Sequence, residues 1–116
     1  MVLRAFYLSI FSGLLQLNVL DETYNSSPEA AYASLDLLVS KPGRHFAVLG
    51  TMLELGSESV ELHFELGTLV RKLGLQGLVI VSQGNEAEAL ATGARTLPFL
   101  EVVSTPEEAM SPLKLW

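Results

Sequence analysis

From Leu17 onward the chain alternates short apolar runs with longer amphipathic ones, and that rhythm constrains the fold more than any other feature. Leu17-Asn18-Val19-Leu20 has the make-up of a strand and ends at Asp21. Pro28 to Ser40 has the pattern of a helix: Ala31, Leu35 and Leu38 recur at helical spacing, Pro28 suits the first turn and Ser27 suits the N-cap. Lys41-Pro42-Gly43 stops it. His45 to Gly50 is almost wholly apolar, as a buried parallel strand should be.

After a loop at Thr51 to Gly56, Ser57 to Leu73 places Leu62, Leu66, Leu69 and Leu73 on one stripe, with Gly74 in position to end the helix. Gly77 to Ser82 predicts another strand, Asn85 to Ala91 a short helix, and Leu100 to Ser104 a further strand. Pro106 to Met110 opens a last helix, with Thr105 as its cap. Strands that alternate with helices predict an α/β fold: a Rossmann-like, mostly parallel sheet flanked by helices and joined by right-handed crossovers.

The 116 residues suffice for one domain, and a hydrophobic fraction of 49% against 17% charged argues for a packed core and against disorder. The formal net charge is −6, and the basic residues Arg4, Lys41, Arg44, Arg71, Lys72, Arg95 and Lys114 form no stripe. That balance disfavours a nucleic-acid or anionic-membrane surface. The absence of cysteine excludes disulfides, thiolate zinc sites and a cysteine nucleophile.

Met1 to Gln16 stands apart from residues 17–116 as an atypical apolar segment. Arg4 precedes an apolar run, as in a signal peptide, but Ser9, Ser12, Gly13 and Gln16 interrupt it and no small-residue cleavage site follows. It is too short and broken for a membrane span, and a helix lying against the domain is the expectation for it.

The polar segment Asp21-Glu22-Thr23-Tyr24-Asn25-Ser26-Ser27-Pro28 lies between a strand and a helix, where open α/β sheets place ligands. Together with Ala47-Val48-Leu49-Gly50-Thr51-Met52-Leu53-Glu54-Leu55-Gly56, it resembles the C-terminal domain of the Mur ligases, most nearly the UDP-N-acetylmuramoyl-tripeptide–D-alanyl-D-alanine ligase type. Two long motifs in the right order, with a helix between them, carry the resemblance. It departs from the family at Ser26-Ser27, where Ala-Asn is usual, and at Thr51, where Asp is usual. The family's central ATPase domain, its UDP-substrate domain, its phosphate-binding loop and a last strand bearing a Lys-Gly/Ala-Ser-Arg motif have no counterpart in this sequence, so the resemblance implies a domain truncated at its C-terminus. A sheet that lacks its last strand leaves an open apolar edge, which predicts a marginal or self-associating chain.

The resemblance implies a role in cytoplasmic peptidoglycan precursor synthesis, with ATP and Mg²⁺ as the family's cofactors and a UDP-MurNAc-peptide and D-Ala-D-Ala as substrates. On this chain it implies nucleotide contacts for Asp21, Tyr24 and Asn25, and substrate contacts for Ser27, Thr51 and Glu54, with no catalytic residue and no metal ligand. No tight cofactor binding and no ligation are expected of this polypeptide alone.

The residue types by themselves keep other readings open. Asp21 and Glu22 also suit a solvated strand end, Tyr24 a ring that plugs the core edge, and Ser27 a helix cap. Glu54 stands alone, which suits a surface, and His63 suits surface or packing. Gly84, beside Ser82 and Gln83, is too isolated to mark a phosphate loop. A non-catalytic Rossmann-like binding module, or a degenerate ligase remnant, is the alternative to the ligase reading. A response-regulator-like receiver would need an acidic pair and a lysine that the pattern does not supply.

Overall fold

The computed structural model describes residues 3–11, 14–22, 28–50 and 56–115, with side-chain environments for 28–50, 56–105 and 107–112. Five strands form one sheet: β1 (Leu3–Phe11), β2 (Leu14–Glu22), β3 (Arg44–Gly50), β4 (Gly77–Val81) and β5 (Phe99–Val103). The helices are α1 (Pro28–Val39), α2 (Ser59–Leu73), α3 (Asn85–Gly93) and α4 (Met110–Leu115), with 3₁₀ turns at Gly56–Glu58 and Pro106–Ala109.

The strand order is β2-β1-β3-β4-β5. The pairs β3–β4 and β4–β5 are parallel, while β1 is antiparallel to both β2 and β3. Two antiparallel steps return β2 to the direction of β3, so four of the five strands run one way. The mostly parallel α/β sheet expected from the alternation of runs is therefore present.

The N-terminal segment departs from its expectation. Leu3–Phe11 is a strand rather than a helix, and the next strand begins at Leu14, three residues before the expected start. The hairpin register runs from Leu3↔Glu22 to Phe11↔Leu14. Phe6, Tyr7 and Ile10 favour extended backbone, and β1 gains a second ladder on β3, from Leu3↔Leu49 to Leu8↔Arg44. Tertiary pairing decides what the apolar run alone leaves ambiguous.

The main core lies between the sheet and α1, α2 and α3. Ala31, Leu35 and Leu38 from α1, Leu66 and Val70 from α2, and Ala87 and Leu90 from α3 meet Ala47, Leu49, Leu78 and Ile80. All three helices cover one face because the strand order advances steadily in one direction under right-handed crossovers. The other face carries a smaller cluster, Val48 and Val79 under Ala109, with Val81 and Val103 beside it.

Helices α2 and α3 meet backbone to backbone. A Cβ at Gly67 would stand 2.2 Å from the carbonyl oxygen of Leu90, and one at Gly93 would stand 2.3 Å from that of Phe64. Only glycine permits that approach. Helix α2 ends at Gly74, whose φ of 75° is left-handed and whose N–H donates to the Arg71 carbonyl.

The sheet is open at β5. Burial runs unbroken through Leu78, Val79 and Ile80 of β4, whereas Val102 of β5 is 48% exposed. Pro98 before the strand and exposed Glu101 within it blunt this edge against pairing with another chain.

Candidate functional site

The ladders set the level of each residue across the sheet. Asp21 is opposite Arg4, Arg4 opposite Val48, Val48 opposite Val79, and Val79 opposite Glu101. The next row runs Glu22, Leu3, Leu49, Ile80 and Val102. Strands β2 and β3 therefore end at the same edge of the sheet. Strand β1 separates those two strands, which sets their carboxyl ends about 10 Å apart at two strand spacings.

Of the residues singled out in the sequence, Asp21 is placed here by its backbone at the end of β2. Tyr24, Asn25, Ser27, Thr51 and Glu54 lie outside the described residues. The expected helix between the two motifs is present as α1 and begins at Pro28.

Further along the same edge, the strand ends are linked by polar groups. The Ser82 N–H donates to the Val103 carbonyl at 3.0 Å, and the Gln83 amide donates to the Ser104 hydroxyl at 2.6 Å. Thr105 caps the following turn as expected: its hydroxyl accepts from the Glu108 N–H and donates to the Glu108 carboxylate at 3.1 Å. Gly84 precedes α3 with φ 95°, and no side chain caps α3 or α2. Gln83 and Ser104 carried no sequence signal beyond their position after a strand.

His63 belongs to the packing and not to this edge. It is fully buried on α2, and its Nδ1–H donates to the Ser59 carbonyl at 2.6 Å. His45 donates from Nε2 to the Lys41 carbonyl at 2.7 Å and sits at the opposite end of the sheet. Among the described residues, no group of three or more His, Asp or Glu could hold a metal ion, and no helix is long and apolar enough to cross a membrane.

No family model matches the chain. It is similar, however, to several curated UDP-N-acetylmuramoyl-tripeptide–D-alanyl-D-alanine ligases. Identity with that of Synechocystis sp. is 47% over 77 residues, which covers 66% of this chain and 17% of the relative. Identity with that of Mycobacterium leprae is 36% over 90 residues, again covering 66% and 17%, and with that of Escherichia coli 31% over 75 residues, covering 65% and 17%. The chain thus matches about a sixth of the length of these relatives.

Among solved structures, the MurF ligase of Thermotoga maritima in complex with ADP superposes with a TM-score of 0.70 at 33% identity, covering 93% of this chain and 23% of that one. That coverage exceeds what residues 17–116 amount to, so the match takes in part of the β1–β2 hairpin. Motifs, strand order and relatives agree that the chain belongs to the Mur ligase family, beside its UDP-N-acetylmuramoyl-tripeptide–D-alanyl-D-alanine ligases.

Proposed function

We propose that this chain is the C-terminal, nucleotide- and dipeptide-facing lid of an ATP-dependent ligase that adds D-Ala-D-Ala to a UDP-MurNAc-peptide in cytoplasmic peptidoglycan precursor synthesis. The observation that carries the reading is the single sheet edge at which β2 and β3 both end, in a chain 47% identical to such a ligase over the matched stretch.

In this reaction ATP converts a carboxylate to an acyl phosphate, and the dipeptide amine displaces the phosphate to form the amide. The barrier falls when the amine is held against the acyl carbon and developing negative charge is offset. The phosphate-binding loop and Mg²⁺, which holds the triphosphate when bound, belong to the ATPase part of the enzyme. The described residues here hold no cluster of three or more His, Asp or Glu that could hold a metal ion.

The lid contributes position. Asp21, at the end of β2, accepts hydrogen bonds from the ribose hydroxyls, as carboxylates do in other nucleotide sites. Tyr24 and Asn25 follow it on the nucleotide side. Ser27, which precedes α1 in the sequence, and Thr51 and Glu54, which follow β3, are assigned to the dipeptide by the family resemblance. Closure of the lid excludes water from the acyl phosphate, which would otherwise hydrolyse.

Alone the chain performs no ligation, because the ATPase machinery lies elsewhere. A ligation assay with UDP-MurNAc-tripeptide, D-Ala-D-Ala, ATP and Mg²⁺ should give no product above the protein-free control. Turnover by the isolated polypeptide overturns the lid assignment.

A second reading, a non-catalytic binding module descended from such a lid, rests on Thr51 and Ser26-Ser27 standing where the family has Asp and Ala-Asn. Substituting Thr51→Asp separates the two in a chimeric enzyme. Rescue of a dead chimera by that change favours the remnant, whereas activity with Thr51 in place favours the ligase.

A further inference from the structure

We propose that the groove between α2 and α3 is a docking site for a cationic, amphipathic helical segment of another polypeptide. The groove is open, encloses about 650 Å³, and lies on the helical layer rather than at the strand ends. Val60, Phe64 and Ala89 line it, and Glu61 and Glu88 stand on its opposite walls. Val60 and Phe64 are 46% and 39% exposed, an apolar pair the fold itself does not cover.

Three observations define the occupant. No basic side chain lines the groove, and among the described residues neither Glu61 nor Glu88 is paired with one, so charge complementarity calls for Lys or Arg. The apolar pair on one helix face calls for aliphatic anchors spaced three or four residues apart, the pattern of a helix laid in a groove. The walls, from Ser57 to Phe64 and from Asn85 to Thr92, each run about 10 Å at 1.5 Å per residue, room for two turns. An open trough buries one side of a ligand, which suits a helix better than a small molecule that needs enclosure. The walls are also fixed in place. Gly67 and Gly93 lock α2 and α3 together beside Phe64, so the groove exists before the partner arrives.

The test is fluorescence anisotropy of a labelled synthetic three-turn peptide, with Leu on one face and Lys on its flanks, titrated with the full chain. The double variant Glu61→Lys/Glu88→Lys should weaken binding about tenfold, while Glu29→Lys/Glu107→Lys, with the same change in net charge, should alter it less than about twofold. Phe64→Ser should weaken it about threefold or more. Circular dichroism melting checks that each variant folds; if Phe64→Ser does not, the two charge-reversal pairs decide.

Equal losses in both charge-reversal pairs overturn the proposal by reducing it to net-charge attraction. So do equal binding of a Lys→Glu peptide, absence of binding, or sedimentation showing a second copy of the chain in the groove through a dimer that Phe64→Ser dissolves.

Discussion

The two ends of the parallel strands are built differently. At the amino ends, one residue ties three strands together. The Gln76 side chain accepts from the His45 N–H at 2.6 Å, its own N–H donates to the His45 carbonyl at 2.9 Å, and its carbonyl accepts from the Phe99 N–H at 3.1 Å. His45 adds a bond to the Lys41 carbonyl. At the carboxyl ends, among the described residues, the links are the Ser82 N–H to the Val103 carbonyl and the exposed Gln83 amide to the Ser104 hydroxyl. Among the described residues, one end is tied by a part-buried side chain, while the side-chain link at the other is exposed. In open α/β sheets ligands bind outside the carboxyl ends of the strands.

That contrast can be broken or sharpened by substitution. The largest effect should come from Gly67→Ala in the layer that supports both ends. Its methyl would collide with the Leu90 carbonyl at 2.2 Å, and neither helix backbone can yield. A loss of about 3 kcal/mol is expected from such overpacking, read from urea unfolding. Next comes Gln76→Ala, which strands the part-buried His45 N–H and should cost about 1–2 kcal/mol in the same experiment. Its counterpart Gln83→Ala removes an equally short bond from the exposed end and should change stability by less than about 0.5 kcal/mol. If Gln83→Ala proves as costly as Gln76→Ala, the two ends are not different in kind.

The smallest effect is confined to alkaline pH. Burial first, and then the Glu65 and Glu29 carboxylates, raise the Tyr32 phenol above its ordinary value near 10. A raised acid binds its proton more tightly in the folded state. Its contribution is therefore complete below pH 10 and is lost as pH climbs through the raised value. Tyr32→Phe should flatten the fall in melting temperature above that point and leave neutral pH unchanged. An unaltered alkaline slope contradicts this.

Much of the fold was legible because local signals agreed. Ala31, Leu35 and Leu38 marked the buried stripe of α1, and unbroken apolar runs marked β3 and β4. The β1–β2 hairpin was not legible as structure, because Leu3–Phe11 becomes a strand by pairing on both sides, and pairing is not a local property. Gly67, Gly93 and Gln76 were silent for the same reason: each matters through a partner at least 20 residues away in the chain. The burial of His63 likewise follows from the seating of α2 on the sheet. The candidate site was legible only as two motifs, most of whose singled-out residues lie outside the described ones. Their shared edge became visible through the register that levels Asp21 with Val48.

The most direct test of the account replaces the corresponding part of the Thermotoga maritima ligase with this chain and follows ligation and melting together. The intact chimera should form product. Asp21→Ala should lower the rate at least about tenfold, mainly through nucleotide affinity, with an unchanged melting temperature. Gln76→Ala should lower the melting temperature and leave the rate of the folded enzyme unchanged. A folded chimera in which Asp21→Ala ligates at the full rate would contradict the assignment of the carboxyl ends as the working edge.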